Sequence, residues 1–205
     1  MSARGTRWRF AGQIAGLGTS GGTRVVVGRW PQSPLGTFAD VMVERPDGHR
    51  VLLAPTQQVA DFVAATYTFD EVRLTPVGVA TADGHWRVDA GPLSLSLTLG
   101  RRTALGWLLH GIPAPVATAP WFAGAVDPAA RVVLRGVRTR GTAGQGRREW
   151  YGATDVRALR TATGAWEGED LGELRPVHPP VRFGFGSTPV RPSVTSVVTT
   201  VESLR

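Results

Sequence analysis

The chain contains no cysteine and no lysine. Without cysteine there is no disulfide, no thiol nucleophile and no Cys-ligated zinc or iron–sulfur centre. Without lysine there is no Schiff base, no pyridoxal-phosphate linkage and no catalytic amine. All 23 basic residues are therefore arginine, and a guanidinium stays protonated at neutral pH and is not a nucleophile. Histidine is scarce too, with four in 205 residues. His49, His85, His110 and His178 show neither H-x-x-x-H nor H-E-x-x-H spacing, so no metal site is expected. Ser187 lies in Gly186-Ser-Thr-Pro189, which is not the G-x-S-x-G elbow of a serine hydrolase. No cofactor motif emerges, and none is expected.

Long apolar runs are missing as well. Thr103 to Val126 carries no charge, but Pro113, Pro115 and Pro120 together with several glycines interrupt it. A spanning helix needs about 20 mainly apolar residues with every backbone group satisfied internally. The segment is read as a buried connection or lid, so no transmembrane segment is expected. MSARGTRWRF at the N-terminus has no apolar h-region, and a cytoplasmic location is the expectation.

What is present points to β structure. With 42% hydrophobic and 19% charged residues, the chain suits one globular domain over 1–205, able to bury roughly 70% of its unfolded surface. Residues 7–15 alternate, as do Leu93, Leu95, Leu97 and Leu99 with Ser94, Ser96 and Thr98. Pro46-Asp47-Gly48 and Asp83-Gly84 mark hairpin turns, and 69–80 reads as one strand. Gly16-Leu-Gly18-Thr-Ser-Gly21 matches G-x-G-x-x-G, but a β-branched run follows instead of a helix, so it is read as a hairpin. Thr56 caps a short amphipathic helix over 56–67, and a second helix covers 103–109. Further strands are expected over 131–140, 149–161, 181–186 and 193–201. The fold class is mainly β (β-rich α+β): a large antiparallel curved sheet or partly closed β-barrel with two short helices.

The net charge of +7 is uneven. It concentrates in residues 1–30 and in 131–160, where eight arginines meet only Glu149 and Asp155. Within the latter, Gly136 to Asp155 combines glycines with Arg138, Arg140, Arg147, Arg148, Trp150 and Tyr151. Guanidinium forks recognise anions, glycines admit close approach, and the aromatics offer stacking. These six residues are the candidate ligand-binding set, for an anionic or aromatic small molecule. His178, Glu149 and Asp155 are the weak candidates for acid–base catalysis. Asp40 and Glu44 share a strand face with Phe38 and Met42. Inside a barrel they would be buried carboxylates with raised pKa values, but a solvent-facing position is expected.

Ser33-Pro-Leu-Gly-Thr-Phe38, ahead of a strand, resembles the corresponding stretch of acetoacetate-decarboxylase-like proteins. The resemblance covers six residues, and that family's Schiff-base lysine has no counterpart here, so it is not adopted. Three function classes stay open. A small-molecule-binding barrel leads, ahead of an enzyme using His and carboxylate acid–base chemistry. Single-stranded nucleic-acid binding comes third, prompted by the interleaved arginines and aromatics of 7–10 and 147–151. A homo-oligomer is compatible with each.

Overall fold

The computed structural model describes residues 7–113, 140–143, 147–184 and 188–203, and side chains within these except at 140–143, 147–149 and 203. In chain order the elements are β1 (Arg7–Thr19), β2 (Arg24–Gln32), β3 (Phe38–Glu44), β4 (Arg50–Ala54), α1 (Gln57–Ala64), β5 (Glu71–Leu74), β6 (Gly78–Ala82), β7 (His85–Ala90) and β8 (Leu93–Arg102). Then follow α2 (Ala104–His110), β9 (Arg140–Ala143), β10 (Arg147–Trp166), β11 (Glu169–Asp170), β12 (Leu174–Arg175) and β13 (Ser193–Ser203).

All the described strands join one sheet, whose main order is β5-β4-β3-β2-β1-β13-β10-β8-β7-β6. Its two ends, β5 and β6, are separated by only residues 75–77. A flat ladder of ten strands would hold its ends about 43 Å apart at ~4.8 Å per neighbour. Three linking residues reach about 14 Å. The sheet therefore has to curl, and a side-chain bridge confirms the curl. Arg73 on β5 lies 5.5 Å over the Trp166 ring at the end of β10 and bonds Glu167 at 2.5 Å. The product is a curved, partly closed barrel.

Two departures from a simple antiparallel sheet have local causes. β5 pairs with β4 in parallel, because α1 carries the chain back across the sheet between them. The stretch 69–80 is two strands instead of one. Thr75 still donates its N–H to the Ala54 carbonyl at 3.0 Å, but Pro76 has no N–H to continue the ladder, so the chain turns there and starts the opposite edge. The G-x-G-x-x-G segment is the end of β1 and its turn into β2, as the hairpin reading requires.

Burial explains the sequence patterns. On β7 and β8 buried and exposed residues alternate, so one face is wet. On β3 and β4 nearly every residue is buried, because both faces are covered. One face carries Leu17, Val27, Val43, Leu53, Trp86 and Leu95 into the barrel core. The other carries Val26, Met42 and Leu52 against Val59, Ala60 and Val63 of α1 and against Val177, Val181 and Phe183. Thr56 caps α1 by accepting from the Val59 N–H at 3.3 Å.

Residues 181–184 were expected to be a strand and form no ladder. Their polar backbone groups are used elsewhere: the Arg182 N–H donates to Glu44 at 2.7 Å and the Phe183 carbonyl accepts from Thr68 N–H at 2.6 Å. Nor is the start of the uncharged segment a buried connection. α2 leaves Trp107 and Leu108 about two-thirds exposed, at 63% and 66%, while the remainder, 114–126, lies outside the described residues. No helix among the described residues is long and apolar enough to cross a membrane.

Glu44 sits fully buried on the doubly covered face. Its cross-strand neighbour Arg24 approaches at 3.2 Å, and Arg182 donates from Nε at 2.8 Å. Three donors thus hold one carboxylate and clamp residues 177–183 onto β2 and β3. Removing one partner of a buried ion pair leaves the other uncompensated, at a cost of about 3–5 kcal/mol. Glu44→Gln is expected to lower unfolding stability by that amount in a urea titration. A loss below about 1 kcal/mol would show that the clamp contributes little.

Candidate functional site

On that same face, a cavity of about 50 Å³ opens between α1 and the sheet. At about 10–15 Å³ for one enclosed water, it accommodates roughly four waters or a compact group of a few heavy atoms, and its open side lets the rest of a larger molecule extend outward. The alternation of β-strands selects its lining. Even-numbered residues of β1, β2 and β3 turn the same way, bringing Phe10, Trp30, Phe38 and Asp40 into it. β13 contributes Thr199 and Val201, β10 contributes Tyr151, and α1 with its C-terminal extension contributes Phe62, Val63 and Tyr67.

Aromatic rings form one wall. Phe10 sits at its centre, edge-on to Trp30 (6.0 Å, 75°) and Phe38 (6.4 Å, 86°) and tilted against Phe62 (4.9 Å). Such contacts contribute about 0.5–1.5 kcal/mol each beyond their buried area and hold the rings in place. The Tyr67 and Tyr151 hydroxyls are hydrogen-bonded to each other, linking α1 to β10.

Asp40 is the polar centre. It is 3% exposed, and one carboxylate oxygen, Oδ1, accepts from Trp30 Nε1 at 2.9 Å. Burial pushes its pKa up to about 7, with the indole hydrogen bond pulling the other way. Gly28 makes this arrangement possible: a Cβ at that position would overlap both the Asp40 carboxylate and the Trp30 indole nitrogen. Thr199 is also 3% exposed, and its hydroxyl has no hydrogen-bond partner among the described residues.

The residues expected from sequence are only partly brought here. Tyr151 lines the cavity. Trp150 is half-buried and, as its neighbour in β10, projects from the opposite face. Arg147 and Arg148 start β10 and face Ala143 and Thr142 of β9, while Arg140 faces Trp150 in the same ladder. Arg138 lies outside the described residues, as do the side chains of the other three arginines and of Glu149. Asp155 is held by Arg102 through two bonds of 2.8 and 3.1 Å, away from the cavity lining. His178 is exposed on the loop after β12.

Asp40 reverses its expectation, being buried instead of solvent-facing. The signal was in β3 itself: with Val41 and Val43 filling one face and Phe38 and Met42 the other, neither face could be wet. Trp30, Phe62, Tyr67 and Thr199 carried no such signal, because only the sheet's curl and the placement of α1 collect them.

No protein-family model and no curated protein matches the chain. Among solved structures, an acetoacetate decarboxylase from Legionella pneumophila subsp. pneumophila str. Philadelphia 1 is similar at a TM-score of 0.38 and 12% identity, over 97% of this chain and 86% of that one. A second acetoacetate decarboxylase structure is similar at a TM-score of 0.37 and 10% identity, over 96% and 87% respectively. Likenesses this distant carry no argument about function.

The buried carboxyl makes a pH prediction. In the unfolded chain Asp40 titrates near 3.8, and in the fold near 7. Between these values the native state holds a proton that the unfolded state has released, so stability falls as pH rises through that window. The stability present at pH 3.8 and lost by pH 7 is about 4 kcal/mol. Asp40→Asn removes this dependence. Relative to the parent, the variant should gain stability between pH 4 and pH 8 in urea unfolding curves. A constant difference across that range would rule the effect out.

Proposed function

We propose that this protein binds a small, mainly apolar or aromatic molecule in the cavity beneath α1, with Asp40 as its polar anchor. The observation that carries the reading is a buried carboxyl facing a partly open cavity whose other walls are chiefly aromatic and aliphatic. Binding pockets have this character: an apolar lining with a few polar groups that fix orientation. Of the two ligand types considered from sequence, the aromatic one is favoured over the anionic one. Among the described lining residues there is a carboxyl and no arginine, so an anion would meet like charge.

Acid–base catalysis is the weaker reading. A carboxyl that titrates near pH 7 can both accept and release a proton there. A histidine beside it would strengthen the case, and none lines the cavity among the described residues. Nothing in the described geometry favours a nucleic-acid ligand.

Thermal unfolding in the presence of phenol, benzyl alcohol and isobutanol tests the reading. A ligand of the folded state at a hundredfold its Kd adds about 2.7 kcal/mol of stability, so saturable upward shifts in Tm are expected. Val63→Phe, projecting a larger side chain from α1 into the cavity, should abolish the shifts. Its folding is checked by circular dichroism, since overpacking costs about 1–3 kcal/mol. Shifts that persist in a folded Val63→Phe protein would place binding elsewhere and overturn the proposal.

A further inference from the structure

Resting on that reading, we infer that the cavity recognises a cation, namely the ammonium group of a small primary amine whose apolar or aromatic body packs on the ring wall. Two features of the lining converge on this chemistry. Phe10, Trp30, Phe38 and Phe62 form a contiguous aromatic surface, and ring faces attract a cation through their quadrupoles, most strongly when water is excluded. Asp40 supplies the counter-charge from within the same lining.

Donor and acceptor counting points the same way. A primary ammonium brings three donors and no acceptor. The lining offers it the Asp40 carboxylate, whose Oδ1 alone is engaged by Trp30, and the Thr199 hydroxyl, which has no partner among the described residues. A neutral apolar molecule would leave Thr199 unpaired and Asp40 without a counter-charge, and buried polar groups left unsatisfied weaken binding.

The groups that face Asp40 determine how pH acts. β2 presents Trp30, the end of α1 presents Tyr67, and β10 presents Tyr151, while β1 and β13 present Phe10 and Thr199. The next charged residue on the same face of β3 is Glu44, already compensated by Arg24 and Arg182. Among the described residues, Asp40 is thus the lining group whose charge changes near neutrality. Only its ionised form pairs with a cation. Amine affinity should therefore rise with pH until Asp40 is fully ionised, in proportion to the competent fraction.

Isobutylammonium chloride and isobutanol are nearly equal in shape and differ in charge, and the amine stays protonated below pH 9. Calorimetric titration of the full chain should show the amine binding more than tenfold tighter than the alcohol at pH 8.5. At pH 5.5 that preference should shrink at least tenfold. Asp40→Asn, checked by circular dichroism to be folded, should erase it at both pH values. Equal binding of the two compounds to the parent protein, or a preference that survives Asp40→Asn, overturns the cation assignment while the cavity remains a binding site. Failure of both compounds to bind at either pH overturns the small-molecule reading as well.

Discussion

Burial on both faces of β3, β4 and the first five residues of β2 is the constraint on which the rest of the molecule depends. A sheet with one wet face tolerates a polar residue at every second position. Here each position must be apolar, paired or turned toward an enclosed space. Glu44 meets the condition with three donors from Arg24 and Arg182. Asp40, four residues earlier on the same strand face, has Trp30 and the cavity. The two carboxylates thus have opposite characters: one is a fastening, saturated by its partners, and the other keeps capacity for something further.

The curl of the sheet turns this constraint into a site. Aromatic residues from β1, β2 and β3 are near neighbours in the ladder, so they would share a face in any antiparallel arrangement. Tyr151 and Thr199 belong to strands beyond β1, and Tyr67 follows α1 on the far side of the cavity. Curvature and the helix layer bring all of them to one enclosure. Gly28 then gives the Asp40–Trp30 pair its room.

Much of the architecture was legible in the residues. The leucine–serine alternation of β8 and the Asp83-Gly84 turn are local signals. So is the Thr56 cap, which needs only its neighbour Val59 to act. What was not legible is non-local. Nothing in Glu71–Leu74 announces a parallel partner, and Pro76 breaks what otherwise reads as one strand. The burial of Asp40 depends on a second layer, α1 with residues 177–183, whose packing no period of two or 3.6 reports. The arginine-rich stretch carries much of the net charge, yet among its described residues it contributes only Tyr151 to the cavity. Charge density marks where a chain can meet water as readily as where it can meet a ligand.

The pairing of β1 with β13 joins residues 7–16 to residues 193–202. Strands β1–β5 are contiguous in sequence and assemble through neighbouring contacts, while the C-terminal strand forms the seam between them and β10. On a ribosome adding about 5–20 residues per second, the open edge of β1 waits roughly 10–35 s for its partner to be made. Over that interval it presents unpaired amide and carbonyl groups, the template on which chains join edge to edge. The first third of the molecule therefore depends on the last dozen residues for protection. Because Thr199 and Val201 lie on that late strand, the cavity is completed only when the seam closes.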